Sequence, residues 1–314
     1  MRIMLVNALF LLTFVFFFSS IVNYYYDDFA TAMDSNSGLF TENKSIDLND
    51  TNQGWGRGVR DFKVDEGSAA PEIPVLLYHR ILDDNDIQDH HYNKNGELYK
   101  TITLKSQFEK QMDLLAKEDF VTLTSKEFEL FMRGEIDLPE KSVLITFDDG
   151  FKDNHIEAYP ILKEHQFTAL NFVITGYIDE SDSEYEPAHN QYLSISDIMA
   201  ATDVFEYYSH TYNFHHQNEK GVAYLISEPI SAVKKDIEIS VNNLNNRSDY
   251  FAYPYGAYND KTADLLEEMD FKMAFTSDLD KARPDQDPYR IPRIEISNRD
   301  DIEDFKEKIG LEKE

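Results

Sequence analysis

The 314-residue chain contains no cysteine. Disulfides, thiolate metal sites and cysteine nucleophiles are therefore excluded, and any metal must be held by His, Asp or Glu. Basic residues are also scarce: 30 Lys and Arg face 59 Asp and Glu, a formal net charge of −29. So acidic a chain lacks the basic surface that phosphate backbones require, which excludes nucleic acid as a partner. It also disfavours binding of the folded part to an anionic membrane surface, while it keeps the protein soluble and attracts cationic polymers. No Gly-x-Ser-x-Gly elbow, Gly-x-Gly-x-x-Gly turn or Walker loop occurs. A serine-nucleophile hydrolase and a nucleotide-binding fold thus have no support.

What is present begins with an apolar run over residues 3–22, uncharged and interrupted only by Asn7, Thr13, Ser19 and Ser20. Twenty helical residues span roughly 30 Å, about one hydrocarbon core. Residues 1–22 are expected to be a signal peptide or an uncleaved membrane anchor. Ala30-Thr31-Ala32 resembles a small-residue cleavage site but lies far beyond the run, and Tyr24, Tyr25 and Tyr26 suit an interfacial belt. An anchor is the favoured reading, with the globular part outside the cytoplasm, extracellular and cell-surface associated. Residues 23–72, rich in Asn, Asp, Ser, Thr and Gly, are expected to be a flexible acidic linker. Residues 73–314 form the expected catalytic domain.

In that domain strand-like apolar stretches (73–78, 121–124, 142–147, 168–175, 204–208, 250–253, 272–276, 291–296) alternate with helical patterns (106–117, 126–132, from 153, after 196, 230–244, 259–269, from 300). Ser125, Ser196 and Asn259 are placed to cap the helices that follow them. Alternation of this kind implies parallel β/α units, an α/β fold whose chemistry gathers at the carboxyl ends of the strands.

Candidate chemistry does gather there. Asp148 and Asp149 close the stretch Ser142-Val-Leu-Ile-Thr-Phe-Asp-Asp-Gly150. Two adjacent carboxylates at a buried strand end repel each other, and a metal cation is the usual compensation. They diverge from one turn, so they do not flank a glycosidic bond as a retaining glycosidase requires. His210 and His215 follow the strand at 204–208. Two His and one carboxylate make an open site used by zinc and non-haem iron. A spacing of five does not fit one helical face, so a loop must bring both rings together, and spacing alone leaves His216 as an alternative to His215. His79 follows the first strand and is suited to proton transfer. Tyr253-Pro254-Tyr255-Gly256 forms a tight turn able to aim a backbone N–H into a site. The other histidines, including His90, His91 and His155, read as surface residues.

Thr146-Phe-Asp-Asp-Gly150, Ser209-His210-Thr211…His215 and Tyr253-Pro-Tyr-Gly256, in this order, together resemble the polysaccharide deacetylases with a NodB-type domain, carbohydrate esterase family 4. The resemblance covers about residues 73–296 and implies a distorted (β/α) barrel of about seven parallel strands. Three departures stand out. The histidines are five apart rather than four, the arginine usual before Pro-Tyr is replaced by the aromatic stretch Phe251–Tyr253, and no Leu-x-x-His follows Gly256. The early Tyr78-His79-Arg80 instead resembles the branch that deacetylates poly-β-1,6-N-acetylglucosamine, the biofilm adhesin.

By that resemblance, Asp149, His210 and His215 bind a divalent metal, zinc foremost with nickel, cobalt or iron(II) as alternatives. Asp148 is the general base, His79 the acid, and the N–H of Tyr255 an oxyanion donor. Arg293 stands in for the missing arginine beside Asp148. Phe251, Tyr253, Pro254 and Tyr255 are expected to contact substrate, the aromatic ones as a wall for sugar packing. The implied partner is an N-acetylglucosamine polysaccharide. Peptidoglycan or chitin oligomers are the alternative substrates, and a non-catalytic glycan-binding surface protein is the alternative of another class.

Overall fold

The β-branched and aromatic stretches become short parallel strands whose register sets their carboxyl ends level. A computed structural model describes residues 40–48, 58–65 and 67–312. The expected signal or anchor segment at 1–22 lies outside the described residues, as do residues 23–39 of the expected linker. No helix among the described residues is long and apolar enough to cross a membrane.

The strands are β1 (Val75–Tyr78), β2 (Arg80–Leu82), β3 (Ile102–Leu104), β4 (Val121–Thr122), β5 (Ser142–Asp149), β6 (Ala169–Val173), β7 (Phe205–Ser209), β8 (Tyr250–Ala252), β9 (Met273–Phe275) and β10 (Ile294–Glu295). The main sheet runs β10-β1-β5-β6-β7-β8-β9, with β4 beside β5, and every pairing is parallel. The seven-strand path agrees with the expected count. It curls as a half-barrel, and an isolated parallel bridge from Phe275 to Ile291 draws the last segment toward β9. Strands β2 and β3 form a separate parallel pair.

Period-two alternation sorts β5 between two cores. Val143, Ile145 and Phe147 pack in one cluster with Phe108, Met112 and Leu115 of the helix Lys105–Lys117. Leu144 belongs to the other cluster, with Phe128, Phe172, Tyr208 and Phe275. Thr146 and Asp148 share the pleat side of Leu144, so the first aspartate points into the barrel. Tyr78 pairs with Phe147, Asp149 with Val173, Val173 with Ser209, and Ser209 with Phe251. The segments holding His79, the aspartates, the two histidines and the Tyr-Pro-Tyr turn therefore emerge at one level on one edge.

Several local expectations shift. Thr124, not Ser125, caps the helix Ser125–Met132, accepting from the Glu127 N–H. Ser194, not Ser196, caps Ile195–Ala200 through the Asp197 N–H. Asn259 caps Asp260–Glu268 as expected. After Asp153 the chain opens with a π-helical turn (Asn154–Ala158) before the α-helix Tyr159–Glu164.

The expected linker is not uniformly free. The compact unit begins at Phe40, and Phe40, Ile46 and Leu48 are buried in the outer core. Asn243, fully buried at the end of the helix Ile230–Asn243, donates from Nδ2 to the carbonyls of Thr41 (3.0 Å) and Lys44 (2.6 Å), and its own carbonyl accepts from the Ile46 N–H (2.8 Å). Residues 40–48 form a strap over that helix, because three buried apolar side chains and a shared amide hub offset the ordering of an otherwise polar stretch.

Candidate metal centre and active site

Strand β5 ends by turning within two residues. Asp149 has φ +74° and Gly150 φ +76°. A Cβ at Gly150 would lie 2.9 Å from Val173 Cγ1, so glycine is required both for its dihedral and for its space. Left-handed backbone recurs at two further non-glycine positions of this edge, Thr211 (φ +77°) and Tyr255 (φ +60°). Each costs about 1–3 kcal/mol and persists only where the surroundings enforce it.

The turn separates the two aspartates. Asp149 Oδ1 lies 3.1 Å from His215 Nε2 and 3.4 Å from His210 Nε2. One ligand atom from each of Asp149, His210 and His215 falls within 4.8 Å of the others. His210 Nδ1 lies 2.8 Å from the Ala252 carbonyl, which can only accept, so Nδ1 is the donor and Nε2 is the nitrogen turned toward Asp149. Asp149 Oδ1 is buried without a well-formed hydrogen bond. A buried oxygen left unpaired beside two imidazoles fits a cation better than it fits a hydrogen-bond network. Burial raises the Asp149 carboxyl, but the His210 and His215 imidazoles beside it outweigh this and hold the group well below the usual range. Burial lowers His215, and Asp149 more than reverses this. His216 is not in the cluster: its Nε2 lies 3.2 Å from the Tyr177 hydroxyl instead.

Asp148 turns the other way. Arg293 Nη1 donates to its Oδ1 and Nη2 to its Oδ2, both at 2.7 Å. Arg293, 1 % exposed, is itself fixed by donation from Nε to the Thr276 carbonyl at 2.7 Å. Burial raises the Asp148 carboxyl, and the Arg293 guanidinium, helped by His210 and His79, holds it below the usual range. Its Oδ2 lies 4.0 Å from His210 Nε2, next to the metal-type cluster but outside it.

His79 follows the end of β1, with Nδ1 buried and unpartnered, close enough to act electrostatically on both aspartates. Its segment is locked by residues the sequence did not single out. Asp153 accepts from Arg80 Nε (2.8 Å) and the Ile81 N–H (3.0 Å), and Asn154 Nδ2 donates to the His79 carbonyl (2.7 Å). Asp236, likewise missed, braces the histidine loop by accepting from the N–H groups of Tyr212 and Asn213, each at 2.9 Å. Asp153 offered only a carboxylate near a turn and Asp236 only an acidic residue inside a helical stretch, signals too common to single out. His91 is also corrected: it is buried, its Nδ1 accepting from the Gln88 N–H at 3.1 Å.

The expected aromatic wall is reduced to one member. Phe251 and Tyr253 are 0 % and 1 % exposed, packed with Phe271 in a satellite core, and Pro254 is buried too. Strand alternation and the packing of Asp260–Glu268 turn them inward. Tyr255 remains, 47 % exposed, its ring 4.4 Å from that of His215 and its hydroxyl donating to the His215 carbonyl at 3.1 Å. A Cβ at Gly256 would lie 1.9 Å from Ser277 Oγ, so this turn also needs its glycine.

The polysaccharide deacetylase family profile matches residues 135–274. Poly-beta-1,6-N-acetyl-D-glucosamine N-deacetylase of Staphylococcus aureus is 30 % identical over 248 residues, covering 76 % of this chain and 82 % of that protein. The enzyme of the same name from Staphylococcus epidermidis is 30 % identical over 233 residues, covering 71 % and 78 %. Among solved structures, IcaB from Ammonifex degensii superposes with a TM-score of 0.60 at 26 % identity, covering 74 % of this chain and 94 % of that one. The Streptococcus pyogenes deacetylase PplD shares the fold, with a TM-score of 0.64 at 23 % identity over 76 % of this chain and 98 % of that one. The chain belongs to the polysaccharide deacetylase family, whose members hydrolyse N-acetyl amide bonds.

Proposed function

We propose that this chain is a metal-dependent N-deacetylase of extracellular poly-β-1,6-N-acetyl-D-glucosamine. The observation that carries the reading is the divided pair: Asp149 faces His210 and His215, while Asp148 is gripped by Arg293. The names of the 30 %-identical relatives support this substrate.

Asp149, His210 and His215 would hold the ion, zinc foremost and nickel, cobalt or iron(II) as alternatives. When bound, such a cation supplies Lewis acidity toward an amide carbonyl and lowers the pKa of water from about 15.7 towards about 7. Asp148, kept ionised by Arg293, takes the proton of the attacking water. The Tyr255 N–H is assigned to the carbonyl oxygen as it becomes negative. His79 delivers a proton to the nitrogen as the C–N bond breaks, so that water is divided between the acyl carbon and the amine. Acetate and a glucosamine unit result. A binding-only protein has no use for a carboxylate held ionised beside the centre or for a histidine close by. We place the reaction outside the cytoplasm, with residues 3–22 as the exporting or anchoring segment, supported by their uncharged apolar sequence.

The test is acetate release from β-1,6- and β-1,4-linked N-acetylglucosamine oligomers with and without a chelator. The expected result is preference for the β-1,6 linkage, loss with chelator and recovery with zinc. Faster release from the β-1,4 series would move the substrate to chitin or peptidoglycan. Binding without release from either would make the chain a glycan-binding protein.

A further inference from the structure

Three rings that the reaction does not use lie beside its centre. Tyr177 ends the 3-10 turn Thr175–Tyr177 that follows β6. That turn is tied to the histidine loop by backbone bonds, from the Thr175 N–H to the Thr211 carbonyl (3.0 Å) and from the Gly176 N–H to the Tyr212 carbonyl (2.8 Å). A Cβ at Gly176 would stand 2.5 Å from the Tyr212 oxygen, so the two loops are in direct backbone contact. Tyr192 lies across an isolated antiparallel bridge from Phe151, two residues beyond Asp149, and stacks on its ring at 5.1 Å and 18°. The Tyr177 and Tyr192 rings meet edge-on at 4.8 Å. His216, adjacent to a proposed ligand but turned from the ligand cluster, shares the 3.2 Å hydrogen bond with the Tyr177 hydroxyl. Both tyrosines are half-buried. Burial raises both hydroxyls, and the negative charge of Asp149 raises them further, as it does that of Tyr255.

Tyrosines buried for packing alone belong in the core, as Tyr78 and Tyr207 do at 0 % and 1 % exposure. Tyr177 and Tyr192 instead are only half-buried on the edge where the centre lies, and the Tyr177 hydroxyl is bonded to an exposed histidine. A pyranose presents C–H groups on its faces and polar groups around its rim. A ring that is apolar in the middle and polar at its tip complements it, at little cost in side-chain freedom once the ring is held by neighbours. The geometry points to a saccharide-binding ledge made by Tyr177 and Tyr192, steadied by His216, that holds the N-acetylglucosamine unit next to the reacting one. This rests on the deacetylase reading above. It assigns His216 a positioning role, acting through Tyr177, and it replaces the inward-facing Phe251 and Tyr253 as the aromatic contribution to substrate binding.

The test compares the full chain with Tyr177→Ala, Tyr192→Ala, Tyr177→Phe and His216→Ala, using a β-1,6-linked N-acetylglucosamine pentamer and an aryl acetate that carries no sugar. In both alanine variants of tyrosine the ratio of kcat/KM for pentamer to that for aryl acetate should fall about tenfold, mostly through KM. Tyr177→Phe should restore most of it, and His216→Ala should lie between. Bound zinc is measured in each variant, and pentamer Kd is measured by calorimetry on the zinc-free protein. An unchanged ratio with an unchanged Kd overturns the ledge. So does a loss of zinc equal to the loss of activity, which would make the rings packing for the centre. Failure of the unsubstituted chain to release acetate would overturn the deacetylase reading alone. The ledge would then stand or fall on whether Tyr177→Ala weakens pentamer binding about tenfold.

Discussion

Arg293 and Asp148 are 145 residues apart in sequence and meet through two parallel hydrogen bonds of 2.7 Å, both residues almost wholly buried. The pair shows why two adjacent aspartates can coexist. Asp148 is neutralised by a guanidinium inside the barrel, which leaves Asp149 free to face the two imidazoles.

Breaking this pair has two consequences. Arg293→Met leaves a buried carboxylate unpaired and should cost about 3–5 kcal/mol in denaturant unfolding at neutral pH. Because Arg293 depresses the Asp148 pKa, the pair contributes stability above the unfolded value, about 3.9, and loses it as pH falls through the lower folded value. Without the guanidinium the Asp148 pKa rises, so the acid limb of the kcat/KM profile should move to higher pH. Arg293→Lys keeps the charge but not the fork, and its limb should lie between. An acid limb unmoved in both variants would contradict the pairing.

Metal affinity should depend on pH through His215. Asp149 raises its pKa in the metal-free protein, and a cation needs the neutral ring. Binding must therefore release a proton increasingly as pH falls, and zinc affinity should drop steadily from about pH 8 to about pH 5.5. Competition with a chromophoric chelator across that range measures this. A flat affinity would remove His215 from the ligand set.

The strap makes a separate prediction. Asn243→Ala strands the Thr41 and Lys44 carbonyls and the Thr175 hydroxyl, which donates to Asn243 Oδ1 at 2.9 Å. The expected loss is about 2–3 kcal/mol in chemical denaturation. The same loss in a chain shortened to begin at residue 73 would show that the strap has no part in it.

The net charge of −29 bears on the product. Deacetylation creates ammonium groups, and an acidic protein attracts a polyamine through a field screened over about 8 Å at physiological salt and about 3 Å at 1 M. Partly deacetylated polymer should elute from immobilised protein as salt rises, whereas fully acetylated polymer should not respond. Salt-independent retention of the deacetylated form would exclude an electrostatic contribution.

The centre was legible in the sequence because parallel β/α folds put function at strand ends. There a residue's offset from an apolar run is a position in space, as it is for His79, Asp148, Asp149 and His210. Arg293 was legible only as an unspent cation near the last strand, and its contact with Asp148 depends on the curl of the sheet. What was hidden depends on facing and on non-local packing. Phe251 and Tyr253 look like a wall until the helix Asp260–Glu268 and Phe271 bury them. Thr124 and Ser194 cap in place of Ser125 and Ser196 because neighbouring hydroxyls compete and only backbone geometry chooses between them. The strap shows no periodicity, since Phe40, Ile46 and Leu48 dock individually.

The measurement that bears most directly on the central claim is acetate release by Asp148→Asn, with bound zinc determined on the same sample. The division of labour between the aspartates predicts zinc near the unsubstituted level and acetate release reduced by about 10²–10⁴-fold. Full activity in that variant, or loss of zinc in step with loss of activity, would contradict it.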